Sequence, residues 1–242
     1  MVHQLRRIGF GLLTTLAIVA FAGPGHAAQE RFEVSSIKAV RPTLVDTLAA
    51  LKQKDVAKAR AAFHRYDSAW NGIEVYINTR SKDMYDLLEH DLQARIEKGL
   101  EAPNPDTTKL AADAQEMLNK YDDAIKMVSA AKPLNPLYDD VARLRIVRAP
   151  LRDVAPDLKA GKLADARKAY EAFDSKWDSI EDLVKARSAD DYVAVEKGMI
   201  QIEKALMPDK PNAAEVTALV NDVMSKYNDA LAAVVKEARN GK

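Results

Sequence analysis

Apolar residues recur every three or four positions along most of the chain, whereas alternating runs of β-branched residues do not occur. The first spacing places apolar side chains on one face of an α-helix, and the second would indicate half-buried strands. Ala, Leu, Lys, Glu and Asp dominate the periodic stretches, and Gly or Pro fall between them. The pattern therefore predicts an all-α protein.

Turn and cap residues divide the first part of the chain into four helices. The predicted helices run from Pro42 to about Lys52, from Asp55 to about Thr79, from about Ser81 to Leu100 and from Thr107 to about Ala131. Proline suits a helix first turn, Asp55 and Ser81 suit N-caps, and the segment APNPD at 102–106 interrupts the periodicity. Residues 28–39 have no counterpart in the repeat described next, and we expect them to form an extended N-terminal arm.

The chain contains an internal repeat, because residues 40–128 recur in residues 147–234. Between 40–89 and 147–196, 20 of 50 positions are identical, whereas unrelated helical sequences would share about 3 to 5. The second copy keeps the same boundaries: Pro150 at its opening, Gly161 before the long helix, Ser188 as a cap and PDKPN at 208–212 as the break.

We therefore predict two tandem pseudo-symmetric four-helix, bundle-like units from an internal duplication. Repeat 1 spans residues 40–131, a linker spans 132–146 and repeat 2 spans 147–242. Within both long helices an apolar stripe that includes Trp70 and Trp177 predicts ordinary buried core.

The first 27 residues are typical of a secretory signal peptide. Arg6 and Arg7 precede an apolar stretch, and Gly25 and Ala27 are the small residues that signal peptidase requires, so we predict cleavage after Ala27 and a periplasmic location. The chain has 36 basic and 36 acidic residues, and loss of the two arginines leaves a net formal charge of −2. This balance does not favour nucleic acid as a partner, and the lack of Cys excludes disulfides and thiolate metal sites.

A line of polar residues follows the margin of the apolar face at seven-residue spacing. Its members are Arg60, Asp67, Glu74 and Ser81, repeated as Arg167, Asp174, Glu181 and Ser188, and the next helix adds Asp83, Tyr85 and Glu89, repeated as Asp190, Tyr192 and Glu196. With a turn near Ser81, Glu74 and Glu89 both lie about 11 Å from the bend at 1.5 Å per residue. Two level carboxylates in an antiparallel hairpin come close together if both face inward.

Close carboxylates repel unless they share a proton, bind a cation or accept hydrogen bonds from Arg or Tyr. The sequence therefore predicts one of two arrangements. The first is an oxygen-rich metal site with Glu74, Glu89, Glu181 and Glu196 as ligands and Asp67, Tyr85, Asp174 and Tyr192 in support. The second is a set of salt bridges that would fix helix register, formed with the repeated arginines Arg60, Arg80, Arg167 and Arg187.

Other site chemistry has little support in the sequence. His64 and His90 are replaced in the second copy by Glu171 and Lys197, so a duplicated His site is excluded and both are predicted to lie on the surface. No Ser, Lys or His arrangement suggests a nucleophile with its base, and no Gly-rich loop follows a strand. We therefore predict a protein without enzymatic activity.

The string A-R-x-A-[FY]-x-x-[YF]-D-S-x-W-x-x-I-E, followed by R-S-x-D-x-Y-x-x-x-E, resembles the exported helical region attached to bacterial high-affinity iron permeases. The resemblance covers Asp55 to Leu100 and Lys162 to Leu206. The permease's membrane helices and its Arg-Glu-Gly-Leu-Glu motif are missing, as is the His-x-x-Glu element of imelysin-like iron-uptake proteins. The resemblance implies a free-standing exported module with the four glutamates as candidate metal ligands.

The leading hypothesis is a periplasmic metal-binding or metal-uptake accessory protein, related to iron or another divalent or trivalent metal. Its expected partner is a membrane-embedded metal permease or another exported protein. The alternative is a structural or adaptor helical bundle that binds another exported protein, with the carboxylates in register-fixing salt bridges. A third hypothesis is a small-molecule binder that uses an aromatic groove near Tyr85 and Tyr192.

Overall fold

The computed structural model describes residues 30–241, so the predicted signal peptide and its cleavage after Ala27 lie outside the described residues. The described part is helical and contains no strand, which confirms the all-α prediction. The α-helices are α1 (Phe32–Lys52), α2 (Val56–Asn78), α3 (Lys82–Asp86), α4 (Ala94–Glu101), α5 (Thr107–Ala130), α6 (Leu137–Lys159), α7 (Leu163–Trp177), α8 (Glu181–Lys185), α9 (Ala189–Leu206) and α10 (Ala213–Asn240), and a π-helical segment (Leu87–Gln93) joins α3 to α4.

Helix α1 begins at Phe32, so the expected extended arm over residues 28–39 is wrong from that residue onward. Pro42 lies inside the helix instead of at its start. The added turns bury Val34, Ile37 and Val40. Burying three such side chains contributes about 5 to 9 kcal/mol, which outweighs the cost of about 3 kcal/mol for an internal proline. Pro150 likewise lies inside α6 and does not open a helix.

The predicted N-caps are confirmed by side-chain hydrogen bonds. Asp55 accepts from the Lys58 backbone N–H at 2.9 Å. Ser81 accepts from the Met84 N–H at 3.1 Å, and Ser188 accepts from the Asp191 N–H at the same distance. Each cap satisfies a backbone donor that the first turn of a helix leaves unpaired. The start points of three helices were therefore predictable from single polar residues.

The predicted long helix of the second copy is wrong, because the chain turns between Trp177 and Glu181. In the turn the Ser179 hydroxyl donates to the Lys176 carbonyl at 2.6 Å, a local bond that competes with helix geometry. The matching residue of α2 is Gly72, which is buried against α6. Packing on α6 keeps α2 continuous, whereas Ser179 is exposed.

Two clusters of buried apolar side chains form the interior. One is built from α1, α2, α4, α5, the π-helical segment and one residue of α6, and the other from α6 to α10. Matching hydrogen bonds recur in them: Tyr121 donates to the Ile37 carbonyl at 2.7 Å, and Tyr227 donates to the Leu144 carbonyl at 2.6 Å. Two equivalent units would make such contacts, and their origin by duplication stays a prediction.

Helices α2 and α6 are antiparallel and join the two halves. A Cβ on Gly72 would lie 2.5 Å from Ile146 Cγ1, so glycine permits their close approach. One helical turn further along α2, the Tyr76 hydroxyl donates to Asp139 at 2.8 Å. This contact places the candidate residue Glu74 opposite α6. Within residues 30–241, no helix combines the length and apolarity needed to cross a bilayer.

Candidate functional site

The two tryptophans of the chain hold the two later glutamates of the predicted site. Trp70 is fully buried, and its indole Nε1–H donates to the Glu89 carboxylate. The matching Trp177 is also buried and donates to Glu196. In the first half the bond joins α2 to the π-helical segment, and in the second half it joins α7 to α9. Sequence reasoning had assigned the tryptophans to the core without predicting that their polar edge meets these carboxylates.

A tyrosine lies over each tryptophan. The Trp70 and Tyr85 ring centroids are 6.3 Å apart at an interplanar angle of 11°, and those of Trp177 and Tyr192 are 6.3 Å apart at 14°. Burial raises the pKa of Tyr85, and the nearby Glu74 and Glu89 carboxylates raise it further. Both carboxylates therefore act electrostatically on one phenol, and the metal site predicted at this pair stays a prediction.

Glu74 is half-buried and forms a salt bridge across the two halves. Arg145 of α6 donates to it at 2.8 Å, and the two side chains are 22% and 20% exposed. Burial raises the pKa of Glu74, Arg145 lowers it and Glu89 raises it, with burial the largest influence. Glu74 is therefore a carboxylate whose charge is only partly compensated in its surroundings.

The repeated arginines do not pair with the candidate glutamates, so that part of the salt-bridge prediction is wrong. Arg60 donates to the Leu100 carbonyl at 2.8 Å, and Arg167 donates to the Leu206 carbonyl at 2.9 Å. Both therefore bind the last carbonyls of a neighbouring helix. The other two pair with different acids, Arg80 with Glu33 and Arg187 with Glu237.

The second half arranges its earlier glutamate differently. Glu181 lies at the start of the short helix α8, after the turn that interrupts the long helix. It accepts from the Tyr192 hydroxyl at 3.2 Å and, among the described residues, has no arginine partner. Burial raises the pKa of Tyr192, and Glu196 and Glu181 raise it further. Two carboxylates and a phenol are therefore brought together in this half as well.

The predicted supporting aspartates differ between the halves. Asp67 accepts from Gln93 Nε2 at 2.9 Å, in a pocket next to Tyr66. Asp174 is exposed. The first half also has one extra residue in the region of the π-helical segment, because Glu89 matches Glu196 at a separation of 107 whereas Leu100 matches Leu206 at 106. π-Helical insertions of this kind occur frequently at functional sites.

Two buried polar atoms beside Asp67 have no hydrogen-bond partner among the described residues. They are the Tyr66 hydroxyl and Gln93 Oε1. The second half has Phe173 and Met199 at the matching positions, so its interior is apolar there. Sequence reasoning missed both residues, although the Tyr-to-Phe difference between the copies was a signal that could have identified them.

The described side chains do not form a ready-made metal site. Within residues 30–241, no group of three or more His, Asp or Glu side chains is arranged to hold a metal ion. His64 and His90 are 62% and 64% exposed, as expected for surface residues. A metal at either glutamate pair would therefore require a carboxylate to leave its indole or its arginine.

A large cleft of about 1450 Å³ lies between α1, α2, α6 and α7. Neither Tyr85 nor Tyr192 lines it, so the aromatic pairs and this cleft are separate features. The hypothesis of an aromatic small-molecule groove at these tyrosines stays a prediction.

Comparison with known protein families, with curated proteins and with solved structures finds no match for this chain. The resemblance to the exported region of iron permeases therefore stays a prediction.

Proposed function

We propose that this chain is an exported, non-catalytic protein that binds metal cations at two carboxylate pairs, Glu74 with Glu89 and Glu181 with Glu196. Its role would be to assist metal uptake in the periplasm, with iron as the expected metal. A membrane-embedded metal permease, or another exported protein, would be its partner.

The observation that carries the proposal is the partly compensated charge around Tyr85. Two half-buried glutamates act on one phenol, and burial together with Glu89 keeps the pKa of Glu74 raised despite the Arg145 salt bridge. A cation placed between the carboxylates would relieve that repulsion. The second half supports the same reasoning with Glu181, Glu196 and Tyr192.

The donor set suits a hard metal ion. Each half offers two carboxylates and a phenol oxygen, and oxygen donors of this kind favour hard cations over soft ones. The chain has no Cys, and in the first half the exposed His90 ring lies edge-on to Tyr85 with the ring centroids 5.4 Å apart. Binding would exchange the indole hydrogen bond of Glu89 or Glu196 for a metal bond. The fluorescence of the tryptophan next to each site should therefore change when metal binds.

The test is a titration of the metal-stripped mature chain with ferrous, ferric, manganous and calcium ions, followed by calorimetry and tryptophan fluorescence. Because the chain has two tryptophans and each donates to a candidate ligand, saturable binding should change the emission of both. Glu74→Gln with Glu89→Gln should remove one site, and Glu181→Gln with Glu196→Gln should remove the other.

The exposed Glu101 provides a matched control, since Glu101→Gln removes the same charge at the end of α4, about 18 Å along the helix from Glu89 at 1.5 Å per residue. It should leave the stoichiometry and the fluorescence change unaltered. If the quadruple Gln variant binds metal as tightly as wild type, the assignment of these glutamates is refuted. If the wild-type chain binds none of the four ions, the metal-binding function itself is refuted.

A second candidate function is the adaptor bundle, which the salt bridge between Glu74 and Arg145 favours because it ties α2 to α6 at 2.8 Å. In that case all four glutamates would serve only to fix helix packing. The Gln variants would then lower stability equally with and without metal, and crosslinking in the periplasm would recover a protein partner that does not depend on metal.

A further inference from the structure

A basic pocket of about 450 Å³ lies between α6 and α10, away from the tryptophans. Its charged lining comes from Arg145 and Arg148 of α6 and from Lys236 and Arg239 of α10, and its polar lining from Asn228 and Asn240. Apolar side chains of α10 complete the wall. Among the described residues, no carboxylate lines this pocket.

The two halves of the chain differ at one position that decides the charge of the pocket. In the first half, Arg41 donates to both oxygens of Asp122, from Nε at 2.5 Å and from a terminal nitrogen at 2.9 Å. Arg148 and Asn228 are the matching residues in the second half. Arg148 donates to the Asn228 side-chain oxygen, so a neutral amide has taken the place of the carboxylate.

Two further arginines, Arg145 and Arg152, lie near the Arg148 guanidinium, which has no carboxylate partner among the described residues. Burial lowers the pKa of Arg148, and the neighbouring Arg152 and Arg145 lower it further. The Nε atoms of Arg148 and Arg152 are buried without a hydrogen-bond partner in the described part of the chain. In residues 30–241 neither of these two arginines has a carboxylate within 4.0 Å.

The acidic residues nearby leave Arg148 without a carboxylate. Glu74 pairs at 2.8 Å with Arg145, which is one of the pocket's own arginines, and Glu237 of α10 pairs with Arg187 at 3.0 Å. Like charges held close together at a half-buried surface destabilise one another, and an anion that binds among them removes that penalty. The pocket thus has the charge, the free donors and the volume for an anionic ligand.

We propose that this pocket binds a small oxyanion with two or more negative charges, of the phosphate class, with Arg148 as its central ligand. The planar guanidinium forks of Arg148 and Arg145 match the oxygens of such a group, and Lys236 and Arg239 close the site from α10. Asn228 holds Arg148 in place without neutralising it. None of the four candidate metal ligands lines the pocket, but the two sites share Arg145, which also forms the salt bridge with Glu74.

The experiment uses the full mature chain and inorganic phosphate, with sodium chloride adjusted to keep the ionic strength constant. Calorimetry should show saturable binding of one phosphate, and thermal unfolding should show a rise in Tm that chloride alone does not produce. Citrate, a polycarboxylate, should compete with phosphate because it presents the same kind of oxygen donors to the guanidinium groups.

The informative variant is Asn228→Asp, which supplies the counter-ion that Asp122 provides in the first half. It should weaken phosphate binding about tenfold or more, since an internal carboxylate occupies the fork of Arg148. Its Tm without phosphate should equal or exceed that of wild type, which shows that the variant folds. Asp122→Asn is the matched control and should leave phosphate affinity unchanged.

The source of the phosphate group is decided by a sedimentation assay with phosphatidylglycerol vesicles. Vesicle binding that Asn228→Asp abolishes would assign the pocket to a lipid headgroup, and phosphate binding without vesicle binding would assign it to a free ligand. The proposal is overturned if phosphate stabilises the chain no more than chloride does, or if Asn228→Asp binds phosphate as tightly as wild type.

Discussion

Replacement of Tyr66 by Phe should stabilise this protein, although it removes a polar group from a polar cluster. The Tyr66 side chain is fully buried, and its hydroxyl has no hydrogen-bond partner among the described residues. The ring itself stacks on Trp70 with centroids 5.9 Å apart, a contact that Phe retains. Phe173 at the matching position of the second half indicates that the smaller side chain suits this environment.

The magnitude follows from the cost of burying a hydroxyl without a partner, which is about 1 to 3 kcal/mol in protein mutational data. Removing that cost should raise the free energy of unfolding by a similar amount. For a chain of this size, about 1 kcal/mol corresponds to a rise of roughly 2 to 4 °C in Tm. Little is lost in return, because Phe keeps the buried ring.

The assay is urea unfolding of the metal-free mature chain, followed by far-ultraviolet circular dichroism so that the altered neighbour of Trp70 does not distort the signal. Tyr121→Phe serves as the control, because the buried Tyr121 hydroxyl donates to the Ile37 carbonyl at 2.7 Å. That variant should lose about 0.5 to 1.5 kcal/mol, since it removes a buried hydrogen bond.

The reasoning is refuted if Tyr66→Phe loses as much stability as Tyr121→Phe. Such a loss would mean that the Tyr66 hydroxyl has a partner which the protein atoms do not provide, such as a bound water or a cation beside Asp67. A repeat of the measurement with saturating metal would then separate these two cases.

Three further outcomes follow from particular contacts. Gly72→Ala should cost about 1 to 3 kcal/mol in urea unfolding, because the added carbon would lie 2.5 Å from a side-chain carbon of α6, whereas Ser179→Ala at the matching exposed position should cost far less. Ser81→Ala and Ser188→Ala should each cost about 1 kcal/mol, since each removes an N-cap. Because burial raises the folded-state pKa of Glu74, its contribution to stability is fully present below its unfolded pKa and is lost as the pH rises through the folded value. The stability of wild type relative to Glu74→Gln should therefore fall as the pH rises above the ordinary glutamate pKa of 4.5, and a difference that stays constant with pH would contradict the raised pKa.

Much of the candidate site could be predicted, but its pairing could not. The seven-residue line and the repeat identified Glu74, Glu89, Glu181 and Glu196, and the structure gathers them in two clusters with Tyr85 and Tyr192. The salt-bridge partners predicted for these glutamates were wrong, and their hydrogen bonds to tryptophan were not predicted. Arg145 of α6 pairs with Glu74, and the indoles of the two tryptophans bind the later glutamates. Spacing within one helix carries no information about which residue of a distant helix faces it.

By itself, the sequence determined the helical class, the buried aromatic stripe and the caps at Asp55, Ser81 and Ser188. These features depend on residues within one or two helical turns, so local spacing is sufficient to predict them. Only the tertiary structure decided that α1 starts before Pro42, that the helix after Trp177 breaks, and that Arg148 lacks the counter-ion which Asp122 provides to Arg41. Each of these depends on burial or charge supplied by a segment far away in the chain, and such contacts arise only when the helices pack together.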